Sequence, residues 1–531
     1  MNKTNNTPSN QKRILFATLL AFAFFIAYDL LYIKPKQNEL ALQTQAEQTV
    51  SVSTKSEQTT QNQAPQSNNN SVSSNAAPMQ NQEIVSTITT KNNIIEIDSL
   101  GRIAQITLTG EQYINDSGKH LQLFNTNLLK ALEVRFSDKD INNEAFSTKV
   151  IVNQSQIDAS SSEQRLLITQ ELSQTTLTKE LLIKPDGTFS INVNSTNNKE
   201  FFITTGFRPD IIADMYADHG VLLKNNDNTL TIIEDGDLAN SSNFVGVKIA
   251  SAFDRYYATV LYNLDTSMAV SLMPDKENNP QIFINAGDGI SLNAYMGPKD
   301  YKMLKSLSPE LTDVIEYGFF TFIAKPMFAM LNYIYSLVGH WGWTIIITTI
   351  LIKLVLYPLA HKGMVSMMRL KDLAPKIKEI QEKYKGDPQK ASMHMMELYK
   401  KHGANPMGGC LPIILQIPVF FAIYRVLTNA IELKGAGFLW VNDLSLMDPF
   451  FILPILMGAT MYLQQKITPN TIQDETQRKI FQYLPVIFTF FFLWFPAGLT
   501  LYWFVNNLFT VTHQYFLNKA YDKAREQRKA S

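Results

Sequence analysis

Trp341 to His361 reads WGWTIIITTILIKLVLYPLAH, an apolar run with one lysine, Lys353, set inside it. About 20 apolar residues span a hydrocarbon core of ~30 Å at ~1.5 Å per residue, so the run predicts a transmembrane helix. Lys353 lies eight residues before His361, which places it roughly 12 Å in from that end, near mid-membrane. A cation at that depth costs about 2.5–3.5 kcal/mol on insertion scales and needs compensation. One reading is a side chain that snorkels to the interface. The sharper one is an ammonium facing a water-filled recess between helices, kept because the work of the protein requires it.

Around that helix, the 531-residue chain alternates between long uncharged runs and a polar, charged remainder. Its 47 basic residues balance 47 acidic ones, which argues against a dedicated nucleic-acid binder. With Cys410 the single cysteine, no intrachain disulfide forms, so an exported domain must hold together by burial. Cys410 and His402 lack a third orienting group, and there is no G-x-x-x-x-G-K-[ST], H-E-x-x-H or G-x-S-x-G pattern. The residues therefore predict neither an enzyme nor a metal or cofactor.

Towards the N-terminus, Lys12 and Arg13 precede the apolar run 14–33, and the small-x-small triplet Ala21-Phe22-Ala23 falls inside that run rather than after it. This predicts an uncleaved signal anchor with residues 1–13 in the cytoplasm. Residues 37–82 are expected to be a linker. From Gln43 to Gln82, 27 of 40 residues are Gln, Asn, Ser or Thr, too polar to offset the entropy of ordering.

Over 83–307 the period changes to two. Thr188 to Asn194 alternates, and Leu177 to Ile183 joins it through Lys184-Pro185-Asp186-Gly187, a type I turn signal. Similar runs at 103–108, 165–171, 229–233, 244–250, 256–263, 268–273 and 281–285 predict an all-β domain, a sandwich of antiparallel sheets with a scaffold or docking role. The segment 308–340 is apolar but carries Asp313, Glu316 and Lys325, with Pro326 as a break. It predicts an amphipathic stretch lying along the membrane interface.

Towards the C-terminus, 362–410 holds ten Lys or Arg against five acids. Leu373, Ile377, Ile380 and Tyr384, then Ala391, Met395 and Leu398, recur at helical spacing on either side of Gly386-Asp387-Pro388, predicting a cytoplasmic helical hairpin. Its methionines add soft apolar surface suited to varied hydrophobic segments. Four further spans are expected within 411–517: Leu411 to Ile431, Phe450 to Leu463, Ile480 to Phe495 and Leu499 to Phe516, the last two sharing a turn at Pro496-Ala497-Gly498. The tail 518–531 is basic and reads as cytoplasmic, with anionic lipid or ribosomal RNA as contacts. The sum is an α+β membrane protein with six transmembrane helices, both ends inside and the β-domain outside.

Several stretches resemble the YidC membrane-protein insertases: Asn405-Pro406-Met407-Gly408-Gly409-Cys410-Leu411-Pro412, Asp448-Pro449 with Ile452 to Gly458, Phe492 to Leu499, and Gly297-Pro298-Lys299-Asp300. The domain order is similar to the Gram-negative form, whose periplasmic insert is a β-supersandwich and whose core has five helices besides the signal anchor. The resemblance implies an inner-membrane insertase and chaperone with a hydrophilic groove open to cytoplasm and lipid. It implies nascent membrane proteins as substrates, with the Sec translocon, the ribosome, the signal-recognition-particle receptor and membrane lipids as partners. The groove cation, usually arginine, matches Lys353, which keeps the charge but loses the bidentate fork. Thr349, Tyr502 and Trp503 match the rest of the groove, and Ile417, Phe420 and Phe491 match the greasy slide by which a new helix leaves. A solute transporter or channel with a β ectodomain, or an envelope tether, remains the alternative from the residues alone.

Overall fold

The computed structural model describes residues 83–114, 118–125, 127–211, 219–403, 411–468 and 475–530. The signal anchor, the linker and Cys410 with its flanking Asn405–Gly409 lie outside them. Two compact units divide at Ile315/Glu316.

The first unit is built from two sheets. The smaller has the order β3-β2-β1-β6, formed by β1 (Ile84–Thr89), β2 (Asn93–Asp98), β3 (Ile103–Leu108) and β6 (Gln156–Asp158), the last pairing parallel to β1. The larger sheet has 13 strands. At its centre, β13 (Ser242–Phe253), β14 (Tyr257–Tyr262), β17 (Gly289–Pro298), β9 (Phe189–Ser195), β8 (Thr176–Ile183) and β7 (Gln164–Glu171) follow one another as antiparallel neighbours. The period-two pattern is realised as expected: Leu177, Leu181 and Ile183 of β8 and Phe189, Ile191 and Val193 of β9 all point inward. Gly187 closes the turn between them at φ +86°, where its amide donates to Lys184 O at 3.0 Å. Strands that periodicity did not reveal, such as Phe201–Thr204 and Gly220–Asn225, are buried on both faces and so show no alternation.

Six charged side chains are buried where the two sheets meet. Arg102 reaches Asp98 at 2.8 Å and Glu133 at 3.0 Å, Arg135 reaches Glu133 at 3.0 Å, and Lys130 lies 3.6 Å from Asp98. Lys179 occupies an inward position of β8 and donates to two backbone carbonyls, Gly101 O at 2.7 Å and Leu132 O at 2.8 Å. Burial pushes this ammonium down to about 7.

Asp300 ends the unit's last strand by capping a short helix, accepting from Met303 N at 2.7 Å. Asp313, together with Glu310, binds Lys224 at 2.9 Å. Those acids therefore serve the β-unit and not a membrane-facing helix, which corrects the reading of 308–340 as one segment.

The second unit is helical. Numbering α1 (Lys139–Ala145) and α2 (Tyr301–Leu307) in the β-unit, it comprises α3 (Thr321–Val338), α4 (Trp341–Lys383), α5 (Pro388–Lys401), α6 (Leu411–Asn429), α7 (Ile452–Ile467), α8 (Glu475–Phe492) and α9 (Ala497–Ala530). Helix α3 buries Ala324, Met327, Phe328, Leu331 and Ile334 while exposing Phe322, Tyr333 and Leu337, so both faces are apolar and the expected polar side is missing.

Helix α4 does not stop at His361. It runs 43 residues in all, from Trp341 through Pro358 and Pro375 to Lys383, so the lysine-bearing helix and the first arm of the hairpin are one rod. Of the predicted seam, Leu373 and Ile377 pack against Met395 and Leu398, joined by Leu370 and Tyr399 in place of Ile380, Tyr384 and Ala391. Likewise, the region after Asn518 is no separate tail: α9 runs on, and Tyr521 donates to Asp372 Oδ2 at 2.8 Å. Asp448 organises the approach to α7, accepting from Trp440 Nε1 at 3.1 Å, Phe450 N at 3.0 Å and Leu453 N at 2.6 Å. Among the described residues, α4 is the one helix both long and apolar enough to cross a membrane.

Candidate functional site

Lys353 projects from α4 towards α6 and α9. Its Nζ donates to Gln416 Oε1 at 3.1 Å and Thr510 Oγ1 at 3.2 Å. The cradle is itself braced. Gln416 Nε2 donates to Asn506 Oδ1 at 3.1 Å and Tyr502 OH at 3.4 Å, and Thr510 Oγ1 donates to Asn506 O at 2.8 Å. Residues 502, 506 and 510 recur every four positions, so one face of α9 presents them in line. Every acceptor around the ammonium is neutral, and among the described residues no carboxylate pairs with it. The ammonium is solvated by dipoles, and its charge stays uncompensated.

Of the residues singled out from the sequence, Lys353 and Tyr502 meet in this cluster. Thr349 is buried one turn away and returns its hydroxyl to Ile345 O at 2.6 Å, so it packs the wall and does not touch the ammonium. Trp503, the neighbour of Tyr502, turns to another surface. Its ring meets Phe420 edge-on at 4.6 Å and lies 5.5 Å from Phe492 and 6.0 Å from Phe488. Ile417 and Phe491 are exposed, on α6 and α8, and Phe420 is half-buried beneath Trp503. Phe420 thus belongs to an aromatic cluster with Trp503, Phe488 and Phe492, while Ile417 and Phe491 are its exposed neighbours along α6 and α8.

Sequence reasoning missed Gln416, Asn506 and Thr510. Their signal was available, since each is a polar residue inside an apolar run. It also missed a histidine pair two turns from Lys353: His361 Nδ1 lies 3.2 Å from His513 Nε2, with Tyr357 stacked on both rings. Among the described residues no three His, Cys, Asp or Glu side chains gather as a metal site would need. His402 ends α5, its amide bonded to Leu398 O at 3.1 Å.

Residues 333–525 match the model of a family described as 60Kd inner membrane protein, and residues 248–330 match the YidC periplasmic domain. The membrane protein insertase YidC of Campylobacter jejuni is 47% identical, with 99% of each chain covered. This chain belongs to the YidC family. The YidC of Wolinella succinogenes is 46% identical over 96% of this chain and 95% of its own, and that of Helicobacter pylori is 43% identical over 99% and 98%. A solved structure described as an active YidC insertase overlays at 18% identity with a TM-score of 0.35, covering 83% of this chain and 96% of that one. So loose an overlay fixes no detail here. The YidC assignment gives the β-sandwich its place as a periplasmic domain and the helical unit its place in an inner-membrane family.

Proposed function

We propose that this chain inserts newly made inner-membrane proteins and assists their folding, alone or beside the Sec translocon. One observation carries the mechanism: the ammonium of Lys353 is held among neutral dipoles from α6 and α9, with its charge unspent on any carboxylate among the described residues. A polar or acidic stretch of a substrate entering that recess exchanges water for the same dipoles and gains a cation, so less of the apolar layer has to be crossed unaided. Once its apolar segment reaches Ile417, Phe420 and Phe491, hydrophobic partitioning into lipid draws it out sideways. The membrane potential adds ~2.3 kcal/mol per charge per 100 mV for acidic segments that move outward. No covalent step is involved.

This reading supposes six transmembrane helices with both termini in the cytoplasm and the β-domain outside. Support comes from the lysines and arginines, which gather on the hairpin and on the C-terminal half of α9. The same basic surfaces suit a ribosome, a signal-recognition-particle receptor and anionic lipid as partners.

Photocrosslinkers placed at Ile417, Phe420 and Phe491 should each capture a ribosome-stalled membrane protein. A crosslinker at Lys378, on the exposed side of the hairpin, should not capture its transmembrane segment at the same chain length. Equal capture at all four positions would remove the lateral route.

A further inference from the structure

Trp503 carries a detail that packing does not explain. Its indole Nε1 is shielded from solvent and has no hydrogen-bond partner among the described residues. The surrounding rings of Phe420, Phe488 and Phe492 supply no acceptor beyond a weak π face. A buried donor left unmade is unfavourable, and a ring of the same shape without the N–H would fill the same aromatic box without that penalty. The position also matters. Tyr502, the preceding residue, belongs to the polar cradle of Lys353 through Gln416, whereas Ile417 is one turn from Phe420 and Phe491 is next to Phe492. Trp503 thus follows a cradle residue along α9 and packs on Phe420 and Phe492, the near neighbours of Ile417 and Phe491 in their own helices.

We propose that the Trp503 Nε1–H is a transient donor to a backbone carbonyl of the substrate, in the stretch that has left the recess and is not yet helical. This inference rests on the insertase reading above and adds the chemical group recognised. A finished helix satisfies its own carbonyls, but an extended stretch entering an apolar layer does not, and each unmet group there is strongly unfavourable. A fixed donor at that point lowers the barrier without reading side chains, which suits an insertase that handles many sequences. The donor is released once the helix closes its own i→i−4 bonds, so it does not retain the product.

The test replaces Trp503 with its sulfur isostere 3-benzothienylalanine, which keeps the shape and removes only the N–H. The full chain in proteoliposomes should keep the thermal stability of the wild type and insert a nascent membrane protein about three- to ten-fold more slowly, the size of one net hydrogen bond in the barrier. Trp503→Phe should give a similar slowing. Insertion by the isostere at the wild-type rate overturns the proposal, and so does a loss of stability that accounts for the slowing. Lys353→Ala is run alongside. If it inserts normally, the recess reading has failed. If it is impaired while the isostere is not, only the donor role has failed.

Discussion

Lys353→Glu should abolish insertion of substrates whose outward-moving segments carry acidic residues, and Lys353→Ala should weaken it strongly. At an effective dielectric of about 20, a charge pair at ~4 Å is worth roughly 4 kcal/mol, so removing the cation gives up most of that attraction and reversing it adds a repulsion of similar size. Even a third of the alanine loss in the barrier slows insertion about ten-fold. Lys353→Arg should remain active, because the cradle of Gln416 and Thr510 offers separate neutral acceptors and no carboxylate that demands one geometry. Protease protection of a substrate's outer segment in proteoliposomes measures all three variants. Full protection with the glutamate variant would exclude a role for this charge.

The largest stability effect is expected within the β-unit. Arg102→Met should destabilise the β-domain by about 3–5 kcal/mol, the usual result of removing one partner from a buried ionic network. Asp98 would keep Lys130 at 3.6 Å and two backbone donors, the amides of Leu100 and Arg102 at 3.0 Å, while Glu133 would keep Arg135 alone. Two carboxylates would then sit under-compensated between the sheets. Hydrogen exchange on the full chain reads this locally, with amides of β2 and β3 losing protection before those of β14 and β17. Unchanged exchange in β2 and β3 would show that the network is dispensable.

Much of this architecture was legible because each layer carries its own period. Lys353 stood out as a lone charge in an apolar run, and the β8–β9 hairpin announced itself through alternation and Pro185-Asp186-Gly187. What escaped detection has physical reasons. Helix α4 shows no boundary at His361, because the composition turns from apolar to charged there without a break in the helix. Lys179 sits in the inward register of β8 where an apolar residue is expected, and only the fold shows the carbonyls of Gly101 and Leu132 waiting for it. The partners of Lys353 lie 63 and 157 residues away, beyond any local pattern. Gln416, Asn506 and Thr510 become a site only when three helices meet.

Water access to position 353 is the most direct measurement. In a Cys410→Ser background, which removes the chain's single native thiol, a Lys353→Cys variant in membrane vesicles is exposed to a membrane-impermeant maleimide from either side. Labelling from the hairpin side, at a rate within about ten-fold of an exposed Lys390→Cys control and absent from the opposite side, is the expected result. A thiol that reacts from neither side until detergent dissolves the membrane would mean a dry site, and the charge of Lys353 could not then receive a polar segment.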